Sequence, residues 1–118
     1  MTELESGAVV LVDFTFSNHQ QSKRRPALVV SNSLNNRKSR DVIVMKITSK
    51  EPRRWGVTVT NEDLVMGSLD CVSFVQVDAI YALEKTIIRE VIGILSQEKM
   101  QEIHTQIAEL FDLKPKVP

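Results

Sequence analysis

A single cysteine, Cys71, stands among the 118 residues, so neither an intramolecular disulfide framework nor a multi-cysteine zinc site can form. It lies in the apolar run Leu69-Asp70-Cys71-Val72-Ser73-Phe74-Val75 and is expected to be a small buried hydrophobe rather than a nucleophile. Charge of one sign is missing as well. Fifteen Lys and Arg cancel fifteen Asp and Glu, so no global field draws the chain to nucleic acid and any anion site must be local. No apolar stretch approaches the roughly 20 residues of a membrane-spanning helix. The start, Met1-Thr2-Glu3-Leu4-Glu5, is acidic where a signal peptide is basic, and a soluble cytoplasmic protein is expected. Glycine numbers only four, and no glycine-rich phosphate loop is present. His-Glu-x-x-His, Gly-x-Ser-x-Gly and any close Asp/Glu/His cluster are missing too, so the common enzyme constellations are excluded and neither metal nor cofactor is expected.

What is present suits one domain, long enough to bury its own core: a strand-rich body over about 7–95, a helix over about 96–112 and a frayed tail at 113–118. The β-branched run 8–14, entered from Gly7, reads as a strand covered on both faces. Pro26 is expected to open a second strand over 27–31, where its missing N–H does no harm. The turn formers of 32–40 read as a connection or a helical turn. A third strand follows at 41–48, with Val42, Val44 and Lys46 on one face and Ile43, Met45 and Ile47 on the other. Strict alternation over 56–60 predicts a half-buried edge strand, 61–67 a turn with a short apolar tip, and 70–77, 79–84 and 90–95 three more strands, with a helical turn at 85–89. So many short strands point to a mainly β fold, a small barrel or coiled sheet with few free edges. Ser96 is a candidate cap for the last helix, whose stripe Met100, Ile103, Ile107, Leu110 and Phe111 is core packing.

Chemistry concentrates at strand ends. The cluster Lys23-Arg24-Arg25 abuts Pro26 and an apolar strand, and arginine grips phosphate bidentately at every accessible pH. If the second and third strands are antiparallel neighbours, the start of one lies beside the end of the other, and Arg25 meets Thr48 at one rim. A phosphodiester in RNA needs little more, because its own 2′-hydroxyl is the nucleophile and the protein chiefly aligns it and stabilises charge on the phosphorane oxygens.

Four segments together resemble the MazF/PemK family of toxin endoribonucleases. They are Gly7-Ala8-Val9-Val10-Leu11-Val12-Asp13-Phe14, Arg25-Pro26-Ala27-Leu28-Val29-Val30-Ser31-Asn32, Val42-Ile43-Val44-Met45-Lys46-Ile47-Thr48-Ser49, and the stretch from Asp78-Ala79-Ile80-Tyr81 to Ile92-Gly93-Ile94-Leu95-Ser96. The resemblance implies an SH3-like barrel with a C-terminal helix, a homodimer, single-stranded RNA as substrate and a cognate antitoxin as partner. It also implies metal-independent cleavage to a 2′,3′-cyclic phosphate. Arg25 matches the family's catalytic arginine and Thr48 its hydroxyl residue, so Arg25 would stabilise the phosphorane and Thr48 orient the phosphate. Lys23 and Arg24 would hold flanking phosphates, Phe16 and His19 border a loop that covers the groove, and Ser49 and Gln76 complete the RNA-binding set. The strand Ser73-Phe74-Val75-Gln76-Val77 departs from the family, many members of which carry an acidic or basic side chain there. Neither Ser73 nor Gln76 can replace it by titration, so the general base and acid stay open.

Two other readings stand beside the endoribonuclease: a non-catalytic toxin of the same barrel type that binds a protein, as the gyrase poison CcdB does, and a plain nucleic-acid-binding barrel with Lys23, Arg24, Arg53 and Arg54 as a basic rim.

Overall fold

A computed structural model describes residues 4–15 and 22–113. Strands β1 (Ala8–Thr15), β2 (Ser22–Val29), β3 (Asp41–Thr48), β4 (Gly56–Val59), β5 (Leu64–Gly67), β6 (Ser73–Glu84) and β7 (Ile88–Leu95) carry two helices between and after them, α1 (Ser33–Lys38) and α2 (Gln97–Leu110). All pairings are antiparallel, in the order β4-β6-β3-β2-β1-β7-β5, and the sheet curls into a half-barrel. The mainly β expectation with a C-terminal helix holds. Its two edges, β4 and β5, are four residues each, which leaves little unpaired backbone for another chain to template on.

The central strands are covered on both faces, as the unbroken apolar run of β1 predicts. Val9, Leu28, Met45, Ile47, Val75 and Val77 face one core, together with Met100 and Ile103 of α2. Ala8, Val10, Val12, Ala27, Val29, Val42 and Val44 face the other, with Leu4. The helix forms where its stripe and cap agree: the Ser96 hydroxyl accepts the Lys99 N–H at 3.2 Å, Glu98 lies in the first turn, and Ile103 is fully buried.

Several elements differ from the sequence expectation. Strand β2 begins at Ser22, so the basic cluster is part of the strand. Pro26 is tolerated mid-strand because the ladder with β3 stops at Ala27 and the missing N–H takes no bond from it. The two strands expected at 70–77 and 79–84 are one, β6, bent where its register against β3 jumps from Met45↔Ile80 to Lys46↔Gln76. Cys71 precedes β6 and is exposed, not buried, because the strand starts only at Ser73. Residues 61–67 are more than a turn: a 3₁₀ turn at Asn61–Asp63 leads into β5, which pairs with β7. Gly67 has a φ of 84°, and a Cβ there would lie 1.9 Å from the Ile92 carbonyl oxygen, so only glycine lets β5 lie this close. Phe16, His19 and the tail residues 114–118 lie outside the described residues.

Candidate active site

The β2–β3 register decides which basic residues meet which hydroxyls. Val29 faces Val44, Leu28 faces Met45 and Ala27 faces Lys46; the same register carried two residues further sets Arg25 opposite Thr48. Alternation fixes the faces. Arg25 shares a face with Ala27 and Val29, and Lys46 and Thr48 share one with Val42 and Val44, so all three polar groups emerge where the second core meets solvent. Lys23, two residues before Arg25, is exposed on the same face.

Strand β6 extends the row. Gln76 pairs with Lys46 and Phe74 with Thr48, and on the far side β4 sets Gly56 beside Gln76 and Thr58 beside Phe74. Thr48, Phe74 and Thr58 thus form one line across three strands, with Lys46 and Gln76 in the next line, and the β2–β3 register continued past its last pair, Ala27↔Lys46, points Arg25 toward the Thr48 end of the first. Ser49 follows Thr48 and is exposed.

Thr48 closes β3 through its side chain: its Oγ1 accepts the Lys50 backbone N–H at 3.2 Å. The hydroxyl accepts that bond, which leaves its own proton available for donation to another group.

Arg24 does not join this group. It pairs with Asp13 in the β1–β2 register, and its Nε lies 3.4 Å from Asp13 Oδ1, while Arg89 bonds the other oxygen of the same carboxylate. Strand alternation turns this trio to the face opposite Arg25. Sequence proximity had suggested a shared phosphate role; the pleat separates the two arginines, and Asp13 occupies one of them. Lys46, not Arg24, shares the face of Arg25 and Thr48. Its signal was in the sequence, since Lys46 and Thr48 are two apart in a strand, but nothing local said that Arg25 would lie beside them.

Beyond Phe74 and Thr58 the row opens into a cavity of about 200 Å³ lined by Glu51, Pro52, Arg53, Arg54, Trp55, Gly56, Thr58, Phe74 and Gln106. Among the described residues no group of three or more His, Cys, Asp or Glu side chains is arranged to hold a metal ion, and no helix is long and apolar enough to cross a membrane.

No curated protein sequence matches the chain. Solved structures do. An endoribonuclease in complex with its cognate antitoxin, from a mycobacterial species, superposes with a TM-score of 0.77 at 23% identity over 98% of this chain and all of that one. A second mycobacterial endoribonuclease gives 0.71 at 25% identity, covering 98% of both chains. A chain from a MazE-MazF complex of Deinococcus radiodurans gives 0.80 at 22% identity over 97% of this chain and all of that one. Likeness at such identities is likeness of fold. The sequence profile of the PemK-like, MazF-like toxins of type II toxin-antitoxin systems matches residues 5–111, nearly the whole length, and the chain belongs to that family.

Proposed function

We propose that the chain is an endoribonuclease toxin that cuts single-stranded RNA by attack of the substrate's own 2′-hydroxyl, without a metal ion, and that a cognate antitoxin restrains it by occupying the same groove. The observation that supports this reading is the β2–β3 register, whose last pair Ala27↔Lys46 lies two residues from Arg25 and from Thr48 and on the same face as both. In support, two solved structures of the same fold are of endoribonucleases, one of them held by its antitoxin.

In this reading the 2′-oxygen, its proton passing to solvent water, attacks the adjacent phosphorus; the bond to the 5′-oxygen breaks, that oxygen takes a proton from water, and the products end in a 2′,3′-cyclic phosphate and a 5′-hydroxyl. Negative charge grows on the non-bridging oxygens. Arg25 offers them two parallel N–H donors, and the Thr48 O–H, held from behind by Lys50 N–H, donates a third bond. Lys46 and Lys23 hold flanking phosphates, and Gln76 and Ser49 complete the RNA-facing strip. Gln76 does not titrate and an arginine stays protonated, so neither takes the 2′-proton. Two such chains form the working homodimer, with RNA crossing near the groove between them.

The test is incubation of the purified chain with mixed RNA in excess chelator, followed by end mapping. Cleavage that persists, leaves cyclic phosphate ends and stops at a 2′-deoxy position is the expected result. Dependence on magnesium overturns the mechanism. RNA left intact while growth is arrested favours a protein-binding toxin, and salt-sensitive RNA binding without cleavage favours a plain binding module.

A further inference from the structure

The cavity beside the strip carries features that the cleavage chemistry does not use. Its wall includes Trp55, a bulky residue held at a φ of 51°, in the left-handed region that such side chains rarely adopt. The strained backbone is tied down, since the Trp55 carbonyl accepts the Val77 N–H at 2.7 Å. Strain of this kind persists only where neighbouring structure enforces it, and it gathers at binding and catalytic sites.

Helix α2 contributes Gln106, whose Nε2 donates to the Gly56 carbonyl at 3.0 Å. A carbonyl can only accept, so that bond fixes which end of the amide is nitrogen. The other end, Oε1, is buried, and no described group donates to it. A buried acceptor without a donor is costly, and natural proteins leave few.

We infer that this cavity is a base-recognition subsite: it takes one nucleobase of the RNA, stacked against Trp55 and Phe74, with an exocyclic amine donating to Gln106 Oε1. The inference rests on the endoribonuclease reading and adds to it what the subsite selects. Two aromatic side chains supply flat apolar surface for a base. Arg53 and Arg54, exposed at the cavity, supply charge for the phosphate joined to that base. Phe74 is the register partner of Thr48, so the base lies directly beside the phosphate strip. An acceptor at the recognition point is reached by the projecting exocyclic amine of adenine, cytosine or guanine, whereas uracil has no such amine and offers only its recessed ring N3–H between two carbonyl oxygens that face the Gln106 oxygen unfavourably.

The chain's one tryptophan is Trp55, so its fluorescence reports on this wall directly. The experiment titrates the full chain with short RNAs made uncleavable by a 2′-deoxy sugar at the cut site, varying one flanking position at a time among the four bases. At one position, the amine-bearing bases should quench Trp55 and bind roughly tenfold more tightly than uracil. In Gln106→Leu that preference should shrink to within about twofold. Binding that leaves Trp55 fluorescence unchanged, equal affinity for uracil at every position, or a preference retained in Gln106→Leu would each overturn the inference. The base panel is read on the unmodified chain, so it decides the matter even if the variant does not fold. Cleavage of the parent RNA is measured in parallel. Cleavage with a silent Trp55 rejects the base subsite alone, whereas quenching with base preference but no cleavage rejects the endoribonuclease and leaves a base-reading site.

Discussion

Arg24 and Arg25 are adjacent in sequence, and the pleat of β2 sends them to opposite faces of the sheet. On one face Arg24 shares Asp13 with Arg89, above the core that α2 seals. On the other, Arg25 stands with Lys46 and Thr48 at the edge of the second core, and no ion pair joins it to a described residue. Arg24 is 61% exposed beside an Asp13 that is only 22% exposed. An exposed pair of this kind contributes little to stability, but it occupies the cation. The difference teaches that a basic cluster in a strand is two sites, and only the face without a carboxylate can offer its charge to a phosphate.

The comparison can be broken first at its foundation. Ile103 has no solvent exposure under the helix-covered face, and Ile103→Ala should cost about 3 kcal/mol by denaturant unfolding. A cost below about 1 kcal/mol would mean that α2 is not the seal described.

The sharper test sets the two arginines against each other. Arg25→Ala should lower RNA cleavage by roughly 100-fold or more with an unchanged unfolding midpoint. Arg24→Ala, which removes only one partner of an exposed ion pair, should lower it by less than about fivefold. Equal losses from the two variants would erase the distinction between the faces.

A smaller effect is expected from the hydroxyl. Thr48→Val keeps the shape and removes one donated bond, for a loss of roughly tenfold in cleavage rate. Thr48→Ser should recover most of it, and failure to do so would point to packing by the methyl group.

The smallest effect lies on the helix-covered side. The Lys99 ammonium bonds Glu102 at 2.8 Å and lies 3.8 Å from Asp63. The hydrogen bond to Glu102 leads in raising its pKa above the ordinary lysine value; burial opposes the rise, and the charges of Asp63 and Glu102 add to it. A raised folded-state pKa adds stability that is fully present below the unfolded value of about 10.4. That stability is lost as pH climbs through the higher folded value. Lys99→Met should therefore cost less than about 1 kcal/mol at neutral pH. The gap between variant and parent should close above the lysine range, and a gap unchanged at high pH would assign the cost to packing.

Much of the fold was legible because its signals are local. β-branching and unbroken apolarity marked β1, alternation assigned the faces of β3 and marked β4 as an edge, and a serine three residues before a bonded N–H capped α2. The antiparallel pairing of β2 with β3 was legible one step further on, and with it the rim at which the start of one strand approaches the end of the other. Other features had no such signal. Strand β5 is too short to show a period and exists because β7 pairs with it. Asn36, in a segment that reads as turn, is buried in α1 and donates to the carbonyls of Leu4 and Ser31. The Gln106 acceptor is a surface-type residue until β4 and the loop before it close over it.

The sequence by itself determined the class of fold and the family, and singled out Arg25 and Thr48 as candidates, because short-range periodicity and motif order are written along the chain. Only the tertiary structure decided that Arg24 pairs with Asp13 on the opposite face, that Lys46 lies on the face of Thr48, and that a tryptophan, a phenylalanine and a distant glutamine line one cavity. Those outcomes depend on register and face, and a strand acquires both only when its partners are in place.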